Sequence, residues 1–198
     1  MTHIHLSSDE RSRLHAAAQD AQARTAARLV LVTVPVSDRY ALYPLVYGAI
    51  LGLSVLGVLA TFWPEISLRT GFYASGLTFA GLSLLLDWLP LRLMLVPKRA
   101  KHWECWELSH RSFAARVLAQ TDRRTGIVLF VSLGERYIEV VTDRDVDLHV
   151  PQKAWDAVIA DFTDAAKKGR AVDGLVAALA DCAKVLETHY PPVEKKGE

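Results

Sequence analysis

The middle of the chain is a long apolar stretch with charged sequence on both sides. Residues 41–63, ALYPLVYGAILGLSVLGVLATFW, carry no charge, and a helix of this length extends about 34 Å, enough to cross a hydrocarbon core of about 30 Å. A second uncharged run covers residues 70–86 and is closed by Asp87, Trp88 and Pro90. The pattern predicts a transmembrane hairpin over 41–97, with spans at about 41–63 and 70–90. Two helices buried in a soluble core are the alternative interpretation.

The residue types within the two runs favour the membrane. Aromatic side chains, which favour the headgroup level, stand near the ends of both runs: Tyr40, Tyr43, Tyr47, Phe62, Trp63, Phe72, Tyr73 and Trp88. Small residues recur four positions apart, at Gly48 and Gly52 and again at Gly76 and Ala80, and such faces let two helices approach closely. We expect these small residues to pack the hairpin. Homodimerisation through Gly48 and Gly52 is the second interpretation.

Basic residues near the spans predict the orientation. The loop between the spans holds one, Arg69, whereas the outer flanks carry Arg28, Arg39, Arg92, Lys98, Arg99 and Lys101. Because positively charged loops remain in the cytoplasm, both termini and the flanking sequence are expected there.

The charged flanks show helical and strand-like periodicity. Ser7 and Glu10 form a capping box that predicts a helix start, and the β-branched run RLVLVTVPV at 28–36 is typical of a strand buried on both faces. After the spans the patterns predict a helix over 98–120, strands at 127–133 and 136–142, a helix from Pro151 to Gly169, and a last helix that stops before Pro191.

The first strand has no partner within its own flank. Pairing it in parallel with the strand at 127–133 supplies one, because the intervening sequence contains a helix. The prediction is therefore an α/β fold, a small mixed sheet covered by helices, whose domain comprises 1–40 plus 98–190. The hairpin at 41–97 interrupts this domain, and 191–198 form a polar tail.

Composition narrows the function classes. The 198 residues carry a net charge of +1, so no overall field favours nucleic acid, which we exclude as a partner. The two cysteines, Cys105 and Cys182, lie far apart and predict no disulfide framework.

One acidic cluster is a candidate metal site. Asp143, Asp145 and Asp147 alternate in TDRDVD as positions 1, 3 and 5 of an EF-hand loop do, but the glycine and the distal glutamate of that loop are missing. Calcium or magnesium, with help from Asp38, is the candidate ion. A solvated acidic loop beside the next helix is the alternative, and it is favoured.

No catalytic constellation is recognisable. His102 and Cys105 have metal-like spacing without a second pair, and Ser112 and Ser132 lack the context of a nucleophile elbow. Asp87 is expected at the membrane interface, paired with Arg92.

Three stretches together resemble the TPM-domain family, in its membrane-anchored bacterial branch, where a hairpin interrupts the domain: AQARTAARLVLVTV, RTGIVLFVSLGERYIEVVTDRDV and WDAVIADFTDAAKKGRAVDGLVAAL. The resemblance implies a compact sheet sandwiched by helices. It also implies kinship with thylakoid-lumen proteins linked to photosystem repair, described as weak acid phosphatases, some of which bind calcium.

These observations lead to two hypotheses of function. The first is a non-enzymatic, multi-pass protein of the bacterial inner membrane, whose cytoplasmic TPM-like domain is a binding or assembly module. Its partners would be the lipid bilayer, other membrane proteins and a second copy of the chain. The second is a weak metal-dependent phosphatase that uses Asp143, Asp145 and Asp147, with Arg123 or Arg124 to receive phosphate.

Overall fold

A mixed sheet joins sequence from both sides of the apolar stretch. The computed structural model describes residues 6–38, 40–119 and 125–192. In chain order the elements are α1 (Ser8–Ala23), β1 (Arg28–Val34), α2 (Leu42–Phe62), α3 (Leu68–Leu86), α4 (Leu89–Leu95), α5 (Lys98–Phe113), a π-helical turn (Ala114–Leu118), β2 (Gly126–Ser132), β3 (Tyr137–Thr142), α6 (Arg144–His149), α7 (Gln152–Lys167) and α8 (Ala171–His189).

The sheet has the strand order β1-β2-β3. β1 pairs with β2 in parallel, from Arg28 opposite Gly126 onward, which confirms the predicted pairing between the two flanks. β2 and β3 are antiparallel, with Ile127 opposite Thr142. β2 is therefore the central strand, and all of its residues are buried.

The first strand packs on both faces of the sheet, as predicted: Leu29 belongs to the core on one face and Val32 to the core on the other, and no residue of β1 is exposed. Only Leu29 and Val32 of β1 are buried, because β1 lies at an edge of the sheet and its apolar run has one neighbouring strand instead of two.

Helices cover both faces of the sheet, and alternate residues of β2 point to opposite faces. On one face, Ile127 and Leu129 join a core that also contains buried residues of α1, α7 and α8. On the other face, Val128 and Phe130 pack with residues of α5 and the π-helical turn, among them Cys105. This layered arrangement agrees with the predicted fold class.

Local sequence accounts for the helix ends. The predicted capping box is confirmed: Glu10 N–H donates to Ser7 Oγ at 3.2 Å, and Ser7 N–H donates to the Glu10 carboxylate at 2.8 Å. Gly169, with φ of +77°, follows the end of α7 in the left-handed conformation that favours glycine.

The described residues divide into two compact units. One comprises the residues up to Ser37 and from His102 onward, and the other comprises Asp38–Lys101. In the second unit, α2 and α3 form an antiparallel helical pair, since Gly48 approaches Ser83 whereas Gly71 approaches Leu56. Two short helices differ from the sequence-based prediction: α4 begins where the second span is predicted to end, and α6 occupies the predicted acidic loop.

Candidate functional site

Asp143, the first residue of the predicted acidic site, is a structural residue at the end of β3. Its side chain is buried and accepts two backbone hydrogen bonds, from Val146 N–H at 2.7 Å and from Gly126 N–H at 2.9 Å. The first bond caps the N-terminus of α6 and the second attaches this cap to the start of β2. Each carboxylate oxygen therefore accepts one backbone hydrogen bond.

The other two aspartates point to different partners. Asp145 Oδ2 accepts a hydrogen bond from the Tyr190 hydroxyl at 2.9 Å, and His149 Nδ1 lies 3.7 Å from Asp145 Oδ1. Asp147 accepts a hydrogen bond from the Thr142 hydroxyl. Burial, together with Asp145, raises the pKa of the Tyr190 hydroxyl above its ordinary range, so Tyr190 remains a donor at neutral pH.

The three carboxylates thus serve three separate sets of hydrogen bonds. Within the described residues, no group of three or more His, Cys, Asp or Glu side chains is arranged to hold a metal ion. Asp38 belongs to the other compact unit and accepts a hydrogen bond from Tyr40 N–H at 3.2 Å. Arg123 and Arg124, the predicted phosphate ligands, lie outside the described residues. Calcium or magnesium binding at Asp143, Asp145 and Asp147 stays a prediction.

A second polar cluster lies where β1 and β2 end, and sequence reasoning missed it. The Glu135 carboxylate accepts hydrogen bonds from Ser37 N–H at 2.8 Å, from the Ser37 hydroxyl at 2.6 Å and from the Ser132 hydroxyl. These bonds attach the segment after β1 to the turn after β2. Each residue alone is unremarkable in sequence, and only the parallel pairing of β1 with β2 brings them together.

Cys105 borders this cluster from α5. Its side chain is fully buried, and burial raises the pKa of the thiol to about 11, although hydrogen bonds with Ser37 and Ser132 partly oppose the shift. The thiol is therefore protonated at neutral pH and is a poor nucleophile. One signal could have indicated its position: Cys105, Ser109 and Phe113 recur at four-residue spacing on one face of α5, and all three are buried.

Glu139 on β3 extends the polar layer. Its Oε2 accepts hydrogen bonds from the Ser109 hydroxyl and, at 3.0 Å, from the Tyr137 hydroxyl. Burial raises the pKa of Tyr137 above its ordinary range, and the neighbouring Glu139 carboxylate adds to the effect. The cluster is thus a set of protonated donors around two carboxylates, an arrangement suited to holding α5 on the sheet.

In the helical pair, the first predicted small-residue face makes the contact. A Cβ added at Gly52 would lie 3.0 Å from the Ser75 carbonyl oxygen, and one added at Gly48 would lie 3.2 Å from the Phe79 carbonyl oxygen. The Ser75 hydroxyl also donates to the Gly52 carbonyl at 2.8 Å. Close approach of α2 to α3 therefore depends on the missing side chains of these two glycines.

The second small-residue face required a correction. Gly76 and Ala80 were expected to pack against the first span, but both are exposed, and a Cβ at Gly76 would contact nothing within 4 Å. Gly71, Ser75 and Phe79 form the contacting face of α3 instead. The two sets share the same four-residue spacing but lie on different sides of the helix.

Apolar side chains cover the outside of this helical pair. Leu53, Leu77 and Leu84 are 67%, 77% and 78% exposed. Among the described residues, one helix, Leu42–Phe62, is long and apolar enough by length and composition to cross a membrane. The predicted pairing of Asp87 with Arg92 is confirmed, and Arg92 also donates to the Asp87 carbonyl at 2.6 Å.

Comparison with known proteins agrees with this architecture. The sequence model of the TPM domain matches residues 91–185, just under half of the chain. A similar solved structure is the NMR structure of the BA42 protein from the psychrophilic bacterium Bizionia argentinensis. It has a TM-score of 0.57 and 12% identity, over 98% of this chain and 89% of that chain. No curated protein is significantly similar to the chain.

The comparisons support the coarser part of the resemblance. The chain carries a TPM domain match, and at 12% identity the BA42 likeness indicates the fold alone. The membrane-anchored branch and the insertion of a transmembrane hairpin stay predictions.

Proposed function

We propose that the chain is a multi-pass inner-membrane protein in which α2 and α3 cross the bilayer and the TPM domain acts as a binding or assembly module for other membrane proteins. The observation that carries the proposal is the apolar exterior of the helical pair. Transfer of each exposed leucine side chain from water to an apolar environment would be favourable by about 1.5–3 kcal/mol of free energy.

The dimensions and the polar groups of the pair suit a bilayer. α2 has 21 residues and α3 has 19, which correspond to about 31 Å and 28 Å of helix against a hydrocarbon core of about 30 Å. Hydroxyl groups along both helices donate to carbonyls of the same pair: Ser54 to Ile50, Thr61 to Gly57 and Thr78 to Ala74, each at 2.8 Å. Because these three hydroxyl groups already donate to carbonyls, placing them in lipid would not leave hydrogen-bond donors without acceptors.

The carboxylates support a module without catalysis. Asp143 is occupied by backbone donors and Glu135 by donors from Ser37 and Ser132, so both hold the fold together. The protonated Cys105 thiol is buried beside Glu135. A partner would therefore bind the outer surface of the domain.

Topology tests the proposal. Cells expressing the full chain are extracted with alkaline carbonate, and reporters are placed after Glu198 and near Ser67. We expect the chain to stay in the membrane pellet, with a cytoplasmic reporter active after Glu198 and a periplasmic reporter active at Ser67. Release of the chain by carbonate would refute the anchor. A reversed reporter pattern would refute the cytoplasmic placement of the domain.

The assembly role needs a separate measurement. A photo-crosslinker on the exposed surface of α8, at Ala180, and one within the helical pair, at Leu77, distinguish contacts of the domain from contacts of the hairpin. We expect the domain position to yield defined adducts with other membrane proteins. Adducts from Leu77 alone would show that the hairpin, and not the TPM domain, recognises partners.

A metal-dependent phosphatase is the second candidate, and the match to the TPM domain is consistent with it. Asp145 and Asp147 are the exposed carboxylates of the acidic cluster, so a cation could displace their hydroxyl partners. Asp145→Asn tests this more cleanly than a change at Asp143, which would also remove a structural cap.

The assay compares hydrolysis of a phosphate ester by the purified full chain with calcium, with magnesium and with chelator. Asp161→Asn is the matched control, because Asp161 is also an exposed aspartate of the same unit. Under this candidate function, turnover requires metal, falls at least tenfold in Asp145→Asn and is unchanged in Asp161→Asn. Turnover that is equal with chelator, or equal in both variants, would eliminate it.

A further inference from the structure

We infer that one face of α5, formed by Arg99, Trp103, Trp106 and His110, rests on the anionic headgroup layer of the bilayer. This face is called the aromatic face below. The inference rests on the proposed membrane function and adds a second membrane contact, made outside the helical pair.

The spacing and exposure of these residues define the face. Successive steps of four, three and four residues place them on one side of a helix, opposite the buried Cys105. Trp103 and Trp106 are 61% and 43% exposed. Two indoles are therefore left outside the core of a helix whose other side already packs on the sheet.

The rings form an ordered platform. Trp103 and Trp106 stack with ring centroids 5.3 Å apart, and the His110 ring lies 4.3 Å from Trp106. His110 Nδ1 is also 3.0 Å from the Trp106 carbonyl oxygen, which fixes the end of the row. Stacked, exposed indoles bring a large apolar area together with N–H donors, the combination that favours the boundary between headgroups and acyl chains.

The surrounding charges select an anionic lipid surface over an apolar protein groove. Arg99 of the aromatic face and the neighbouring Lys98 are both exposed in the first turn of α5. Glu107 forms an ion pair with Arg111, which reduces its opposition to an anionic surface. Basic side chains near an anionic leaflet are attracted by its negative surface potential.

The position of α5 in the chain also supports contact of the aromatic face with the membrane. α5 begins at Lys98, in the unit that contains the helical pair, and only residues 87–97 separate it from the end of α3. A basic, tryptophan-bearing helix a short distance after an apolar helix fits a cytoplasmic membrane border, where basic and aromatic residues are both enriched.

The test measures depth in the bilayer with the full chain in vesicles of phosphatidylcholine and phosphatidylglycerol. Because Cys105 and Cys182 are fully buried, an environment-sensitive fluorophore will label an introduced cysteine selectively under native conditions. The labelled positions are Ala114, exposed one turn beyond His110; Leu77 on the helical pair; and Ala180, exposed on α8. Lipids brominated near the headgroup quench a label only on close approach.

We expect the Ala114 label to be quenched at least twofold more than the Ala180 label, and this excess to disappear in vesicles of phosphatidylcholine alone. The double variant Trp103→Gln/Trp106→Gln should also abolish the excess while circular dichroism is unchanged. Quenching at Ala114 that equals that at Ala180, persists without anionic lipid, or survives the double variant would overturn the inference.

Deep quenching at Leu77 by lipids brominated along the acyl chain reports the proposed function separately. If Leu77 is quenched and Ala114 is not, the hairpin inserts but the aromatic face does not touch lipid. If Ala114 is quenched and Leu77 is not, the face binds the surface and the proposed anchor fails.

Discussion

Asp143 offers the sharpest test of how the acidic cluster is used. If the role of Asp143 is to cap α6 and attach it to β2, Asp143→Ala removes this cap and leaves Gly126 N–H buried without its acceptor. A metal ligand, by contrast, would leave the fold largely intact when it is removed in the absence of metal.

The expected cost follows from the two bonds. Loss of an N-cap typically costs about 1 kcal/mol, and an unsatisfied buried N–H costs about 1–3 kcal/mol. Together they predict a loss of about 2–4 kcal/mol in the free energy of opening this unit. Asp143→Asn keeps one oxygen acceptor and should fall between Asp143→Ala and the unmodified chain.

Thiol labelling can measure this unit alone. Both Cys105 and Cys182 lie in the same compact unit as Asp143 and are fully buried, so alkylation requires that unit to open. When reclosing outpaces labelling, the rate follows the population of the open form. A loss of about 2–4 kcal/mol then accelerates labelling about 30- to 700-fold, since about 1.4 kcal/mol is a factor of ten.

Asp145→Ala is the matched control, because Asp145 is exposed and its replacement should change the labelling rate by about twofold at most. Labelling of Asp143→Ala within threefold of the unmodified chain would refute the structural role. Equal acceleration in both variants would show that the cluster acts as one unit.

Three further outcomes are expected. Gly52→Leu should overpack the helical pair and cost about 1–3 kcal/mol, whereas Gly76→Leu should leave the thermal stability of the full chain in detergent unchanged; equal losses would contradict the assigned contact. Folding holds the thiol pKa of Cys105 at about 11 and of Cys182 at about 12, so the unfolded chain loses these protons first. Stability in urea should therefore fall as pH rises from about 9 towards about 11, and unchanged stability there would exclude the shifts. Glu135→Gln, which turns an acceptor oxygen into a donor, should accelerate thiol labelling at least tenfold; an unchanged rate would show that the cluster does not stabilise the sheet.

Local periodicity predicted the longer helices and the strands from the two flanks. Ser7 and Glu10 fixed the start of α1, and Gly169 marked the end of α7. The parallel pairing of β1 with β2 followed from a simple requirement, that a strand needs a partner. Helix ends depend on residues close together in the sequence. Strand pairing could be predicted because the chain offers few strands to choose from.

What escaped prediction depends on tertiary placement. Spacing alone could not distinguish Gly76 from Gly71, because the rotation of α3 against α2 decides which side of the helix is in contact. The short helix α6 depends on Asp143 caught between two backbone donors, and the Glu135 cluster exists only once β1 lies beside β2.

The strand order also determines when the domain can assemble on the ribosome. Arg28 pairs with Gly126, so β1 leaves the ribosome roughly 5–20 s before its partner at about 5–20 residues per second. During that interval the whole apolar stretch is synthesised, and β1 has no strand to pair with.

Gln22, in the last turn of α1, makes hydrogen bonds to the backbone at the start of β1. Its side-chain amide donates to the Ala27 carbonyl and accepts from Leu29 N–H, each at 2.9 Å, so these bonds between α1 and the start of β1 require no residue of another strand. Synthesis of the apolar stretch would thus precede closure of the sheet. A nascent chain stalled before residue 126 would therefore carry β1 without the neighbouring strand of the folded sheet.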